Sequence, residues 1–186
     1  MMLTEHRGID QMIQTSHAGG LGPTRNVLRV LIALNLGMGL LIGMMLLASL
    51  LAESWVMTAL GVRPGEGRAA LVVGMRVVAV LGIAAVPFTH VVLARLRDIV
   101  ETVRRGDAFV PGNAARLRTI AWAVLGLELL HLCVAAAAWA ASSPAQALDI
   151  SWTPSLTRWL AVLLLFVLAR VFEEGARMRD DLEGTV

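Results

Sequence analysis

The sequence predicts an all-α polytopic membrane protein: four transmembrane helices in an up-and-down bundle, with helical extensions on the cytoplasmic side. Three observations carry that expectation. Of the 186 residues, 57% are hydrophobic and 16% charged, an apolar share above that of a soluble domain. The apolar residues gather into four runs, 27–51, 69–94, 118–141 and 156–172, separated by stretches rich in Gly, Pro and charge. The Arg residues also collect on one side of the membrane that these runs imply.

The elements follow in order. Residues 1–24 hold Gly8, Gly19, Gly20, Gly22 and Pro23 without a sustained apolar period, and are expected to form a flexible cytoplasmic tail. Residues 25–186 make the membrane domain. The run 27–51 is too long for a signal-peptide core of about 7–15 residues. At about 1.5 Å per residue it can cross about 30 Å of hydrocarbon. The second and third runs also reach that length; the fourth is shorter. Residues 53–68, with Gly61, Pro64, Gly65 and Gly67, read as a return loop, and Trp55 beside it suits an interfacial belt. Residues 142–157, with Pro144, Trp152 and Pro154, read as a second loop on the same side.

The cytoplasmic connection 95–117 has more structure. Leu93, Leu96, Ile99, Val100 and Val103 recur at helical spacing, so the second span is expected to continue beyond the bilayer as an amphipathic helix. Gly106, preceded by Arg104 and Arg105, is placed to end it in a left-handed conformation. Val110-Pro111-Gly112-Asn113 fits a type II turn, and Asn113 then caps the third span. After the fourth span, residues 173–186 continue as a cytoplasmic helix. The pairs Arg170–Glu174, Glu173–Arg177 and Arg177–Asp181 stand four apart within this terminal segment.

Orientation comes from the basic residues, all of them Arg. With the N-terminus inside, Arg7, Arg25 and Arg29, the loop residues Arg95, Arg97, Arg104, Arg105, Arg116 and Arg118, and the terminal Arg170, Arg177 and Arg179 are cytoplasmic. Arg63, Arg68 and Arg158 are external, and Arg76 lies within a span. The bias places both termini in the cytoplasm. An Arg-favouring genome explains the absence of Lys more simply than anion binding does. The single Cys133 excludes an intramolecular disulfide.

Polar residues within spans are where function is sought in a membrane protein. They are Asn35, Arg76, His90, Glu128 and His131. Arg76 lies near the outer boundary, where its side chain can snorkel to water. Glu128 is harder to accommodate, because it stands near the middle of the least apolar of the first three spans. An intramembrane polar cluster of Asn35, Arg76, Glu128 and His131 is therefore one candidate site, and it would serve a small transporter or proton-coupled channel. Glu128 and His131 alone do not make a metal site. With no HExxH, GxSxG or Walker motif, the chain is read as non-enzymatic, without catalytic residues, cofactor or metal. Gly39-x-x-x-Gly43 offers a smooth face for packing within the bundle or for a homodimer. Acidic residues accompany the cytoplasmic Arg and no recognition motif is present, so direct nucleic-acid binding is not expected.

Two cytoplasmic blocks, RRGDAFVPGNAARLRTIAW and the terminal VFEEGARMRDDLEGTV, resemble the bacterial membrane-protein family catalogued as Domain of Unknown Function 2975. The matching positions are Gly106, Phe109, Arg116, Leu117 and Arg118, then Phe172, Gly175, Met178, Thr185 and Val186, with Met where Leu is usual. The resemblance covers about residues 27–186. It implies four spans in the inner membrane, no established activity, and frequent encoding beside a small helix-turn-helix transcription regulator. The resulting expectation is a membrane partner that holds or releases such a regulator. Its candidate surface is Arg104, Arg105, Phe109, Arg116, Arg118, Glu173, Glu174 and Arg177, of which Glu173, Glu174 and Arg177 would also zip the tail to the loop.

Overall fold

In hydrocarbon each backbone N–H and C=O must be satisfied within the chain, and a continuous helix is the simplest solution for a long apolar run. The computed structural model describes residues 22–59, 61, 68–106, 110–141 and 156–183. Among them the elements are helices: α1 (Gly22–Leu51), α2 (Glu53–Ala59), α3 (Arg68–Arg104), α4 (Pro111–Ala141) and α5 (Leu156–Glu183). Three of these, α1, α3 and α4, are long and apolar enough to cross a membrane. Their outer faces are apolar as well: Leu34, Met38 and Leu41 on α1 are exposed, as are Leu160, Leu163 and Leu164 on α5. Such surface is stable against lipid and not against water, and the chain is a membrane protein.

Two boundaries differ from those the sequence predicts. Helix α1 begins at Gly22, inside the stretch read as a tail; the rest of that stretch lies outside the described residues. The expected loop 53–68 opens instead with α2. The reason is local: the amide of Ala52 donates to the Ala48 carbonyl at 2.8 Å, and that of Val56 to the Ala52 carbonyl at 3.1 Å. The helical ladder thus carries on through the break between α1 and α2. Gly61, at φ 76°, ends the run, with its amide on the Thr58 carbonyl.

Packing follows chain order, α1 on α3, α3 on α4 and α4 on α5. The α1–α2 run meets α3 antiparallel along one seam. A Cβ on Gly39 would lie 2.8 Å from Val86, and one on Gly82 would lie 3.6 Å from Ile42. Arg76 bonds to Ser49, and Val56 packs with Val72. Positions 35, 39, 42, 49, 53 and 56 share a heptad stripe, whose phase survives the break at Ala52.

The α3–α4 pair is fixed at three levels. Gly74 abuts Ala141, Gly126 receives the ring of Phe88, and Thr102 meets Asn113. On α3 these levels stand at 74, 88 and 102, two heptads apart at each step. Two of the three depend on a missing side chain, since a Cβ on Gly126 would lie 2.6 Å from Phe88 Cε1 and one on Gly74 would collide with Ala141 Cβ.

Helix α3 also contains Pro87, which removes a ladder donor. Side chains gather there: Asn35 Nδ2 donates to the Val86 carbonyl at 3.1 Å, and Thr89 Oγ1 to the Ala85 carbonyl at 3.1 Å. Both bonds fall on carbonyls beside the proline rather than on that of Ile83, whose ladder donor Pro87 lacks.

The register of α4 against α5 is set by two contacts. Trp122 meets Phe166 edge-on with ring centroids 5.3 Å apart, and Glu128 pairs with Arg158. Helix α4 continues past Glu128 to Ala141, about 20 Å farther, whereas α5 begins only two residues before Arg158. From Arg158 to Arg170 the helix advances about 18 Å, less than the hydrocarbon thickness of about 30 Å. The segment that would extend it, 142–155, lies outside the described residues.

Candidate functional site

The α3–α4 connection is built largely as its residues predict. Gly106 adopts φ 89° and its amide bonds the Val103 carbonyl at 3.0 Å, which stops α3 just beyond Arg104. The restart differs. The amide of Asn113 bonds the Val110 carbonyl at 2.9 Å, but Gly112 is not in the positive-φ region and already belongs to α4. The expected type II turn is therefore the first turn of α4, with Pro111 as its opening residue, where a missing N–H is harmless.

Asn113 accordingly does not cap the helix. It is fully buried, and its Oδ1 accepts from Arg116 Nη1 at 2.8 Å and lies 2.9 Å from Thr102 Oγ1. The Thr102 hydroxyl is also 2.8 Å from the Ile99 carbonyl, so its single proton is shared between two acceptors. Asn113 thereby joins the end of α3 to the start of α4 and holds Arg116 in place.

Around this joint the charges are largely solvated. Glu101 Oε1 lies 3.1 Å from Arg105 Nη2 and 3.6 Å from Arg104 Nη2. The Arg105 hydrogen bond, then the Arg104 charge, hold the Glu101 carboxyl below its ordinary value, with Arg25 contributing least. On α5, Arg170 pairs with Glu173 at 3.5 Å and Arg177 with Glu174 at 3.8 Å. Both are three-residue spacings rather than the four expected. Among the described residues the ion pairs of Glu173, Glu174 and Arg177 are within α5 rather than with the loop. Phe109 lies outside the described residues.

The intramembrane candidates do not form one cluster. No hydrogen bond or ion pair joins any two of Asn35, Arg76, Glu128 and His131 among the described residues. Asn35 serves the α1–α3 seam at Pro87, and His131 is exposed. Arg76 does not simply snorkel to water: its Nη2 donates to the Ser49 carbonyl at 2.6 Å and to Glu53 Oε2 at 2.8 Å, and Nε to Ser49 Oγ at 3.2 Å. Three acceptors at the end of α1 and the start of α2 take up one guanidinium, the fork geometry that favours Arg. Glu128 is 8% exposed and has Arg158 Nε 3.7 Å from its Oε2.

Arg158, counted as external in the sequence, is thus the partner that Glu128 lacked. The signal was present as one acid and one base in adjoining apolar runs, but their relative depth was not. His90 adds a further polar atom, since its buried Nδ1 has no partner among the described residues.

A family model described as "Protein of unknown function (DUF2975)" matches residues 55–186. The chain belongs to that family. No curated protein and no solved structure matches it. The DUF2975 match begins in α2 and includes all of α3, α4 and α5, a narrower range than the 27–186 expected from the cytoplasmic blocks. Within this DUF2975 chain, Arg76, Glu128, Arg158 and the α3–α4 joint are inside the match. Asn35, Gly39, Ser49 and Glu53 are outside it, although they supply the α1 side of the seam.

Proposed function

We propose that this protein is a non-enzymatic component of the bacterial inner membrane, with both termini cytoplasmic, that docks an acidic cytoplasmic protein on the Arg-rich end of the helices. In this reading four helices cross in up-and-down order, with α5 as the fourth. The apolar exposed residues of α5 support its membrane placement. The two charges that weaken its apolar character are Arg158, compensated by Glu128, and Arg170 at the boundary.

One observation carries the docking role. Helix α3 continues beyond its apolar run to Arg104 and leaves Leu96 and Val103 exposed on that extension, beside Arg95, Arg97, Arg104 and Arg105. An apolar stripe whose four Arg outnumber the two acids paired with them, Asp98 and Glu101, suits a partner that is both acidic and amphipathic. The family resemblance nominates a small helix-turn-helix regulator. Co-purification with the neighbouring regulator tests this: Arg104→Ala, Arg105→Ala and Phe109→Ala together should reduce capture several-fold, and unchanged capture removes the idea.

The rival reading, a transporter or proton-coupled channel working through Glu128, is favoured only by the burial of that carboxyl. Its pairing with Arg158 supplies a structural reason for the same burial. Flux into proteoliposomes by the Glu128→Gln variant separates the two, since a transport role requires that flux to collapse.

A further inference from the structure

A groove of about 610 Å³ opens between the first turns of α4 and the second half of α5. Its floor is small, with Ala114, Ala169 and Ala176 all buried. Its charged walls carry Arg118, Arg170 and Arg177 against Glu173. Phe166 closes one end, held edge-on by Trp122. On α5 the lining residues 166, 169, 170, 173, 176 and 177 fall on one helical face, so the groove is a property of the packed pair rather than of a loop.

The polarity along the groove is directional. Phe166 lies towards the apolar half of α5, and Arg177 is eleven residues on, about 16 Å away along the axis. Alanines bring the helices close at the floor while the long Arg side chains stand at the walls. Of the three cations, Arg170 is partly neutralised by Glu173 and Arg177 by Glu174 outside the lining, and Arg118 has no ion-pair partner among the described residues. The lining therefore carries two more positive than negative charges, and it runs from aromatic to cationic in the direction of the membrane boundary.

We propose that this groove binds the phosphate ester of an anionic glycerophospholipid, with Arg118 and Arg170 on the phosphate, Arg177 at the outer rim and Phe166 against the glycerol and first acyl carbons. Arginine forks match phosphate oxygens, and basic pockets between membrane helices are suited to anionic headgroups. A soluble phosphate ester offers the same oxygens but nothing to lie on Phe166. The inference rests on the reading of α5 as membrane-embedded, and it gives Arg118 and Arg177 to lipid while leaving Arg104 and Arg105 to the protein partner.

Native mass spectrometry of the full-length protein in neutral detergent, titrated with phosphatidylglycerol or phosphatidylcholine, provides the test. Phosphatidylglycerol should be retained at least about tenfold better, and Arg118→Gln with Arg170→Gln should weaken it about thirtyfold. Arg97→Gln, on α3 and outside the groove, should retain it. Equal retention of the two lipids, or undiminished phosphatidylglycerol on the double variant, overturns the site. Displacement by glycerol 3-phosphate at the same concentration as phosphatidylglycerol overturns the lipid assignment. Should the double variant fail to fold by circular dichroism, Arg177→Gln at the exposed rim reads the same loss singly, and full retention there overturns the site. Regulator capture through Arg104 and Arg105 is measured separately, so either reading can fail without the other.

Discussion

Arg158, in the first turn of α5, places its Nε 3.7 Å from Oε2 of Glu128 on α4, which is 8% exposed. One acid and one base from adjoining helices thus meet with the acid nearly enclosed and the base half-buried. Breaking a fully buried pair from one side costs about 3–5 kcal/mol, because the survivor is left uncompensated. Arg158 is 37% exposed at its side chain, so the effect should be smaller. Arg158→Gln should lower stability by about 1–3 kcal/mol, and Glu128→Gln in the same chain should restore part of it. Thermal unfolding of the three variants in detergent reads the coupling; additive losses would show that the two residues do not interact.

Gly39 and Gly43 are one turn apart and unequal. A Cβ on Gly39 meets Val86 at 2.8 Å, whereas one on Gly43 meets nothing within 4 Å. Overpacking of that kind typically costs about 1–3 kcal/mol, so Gly39→Ala should destabilise the α1–α3 seam. Gly43→Ala should be neutral or gain up to about 1 kcal/mol in helix propensity. If a homodimer uses this face, Gly43 is the member still available for it. Cross-linking of Gly43→Ile against wild type measures that role independently of unfolding.

Asn113 makes a third expectation, because a fully buried amide joins α3 and α4. Asn113→Ala removes the acceptor for Arg116 and a bonding partner for Thr102, and should cost about 1–3 kcal/mol. Proteolysis between α3 and α4 should accelerate with it. Equal cleavage rates would mean that the joint is held by Gly106 and the backbone alone.

Acid sensitivity follows from Glu101. Its pKa in the folded chain is lowered from 4.5, first by the hydrogen bond from Arg105 and then by Arg104. A depressed carboxylate stabilises the folded state fully above its unfolded value, and that contribution disappears as pH falls through the folded value. The Glu101→Gln variant should therefore be slightly less stable at pH 7 and show a shallower loss below about pH 4.5. Unfolding midpoints between pH 3 and 7 check the sign, and parallel pH profiles for the two proteins contradict it.

Much of the helical layout was legible because it depends on local rules. The amphipathic continuation through Val103, the charge pair before Gly106 and the stop at Gly106 are all written within a few neighbouring residues. The polar contacts were not. Arg76 found Ser49 and Glu53, 27 and 23 positions away, and Glu53 belonged to a stretch rich enough in Gly and Pro to read as a loop. Arg158 reads as external at the start of the fourth apolar run, but its depth depends on how α5 docks on α4. That register comes from the Trp122–Phe166 contact, which no periodicity within either helix specifies.

The three levels that join α3 to α4 restrict how the molecule can move. Sliding one helix past the other by a turn would drive Gly74 off Ala141, Phe88 out of the notch at Gly126 and Thr102 away from Asn113 all at once. A piston stroke of this hairpin would have to break all three contacts together, so moving the α3–α4 pair as one beam is the less costly displacement.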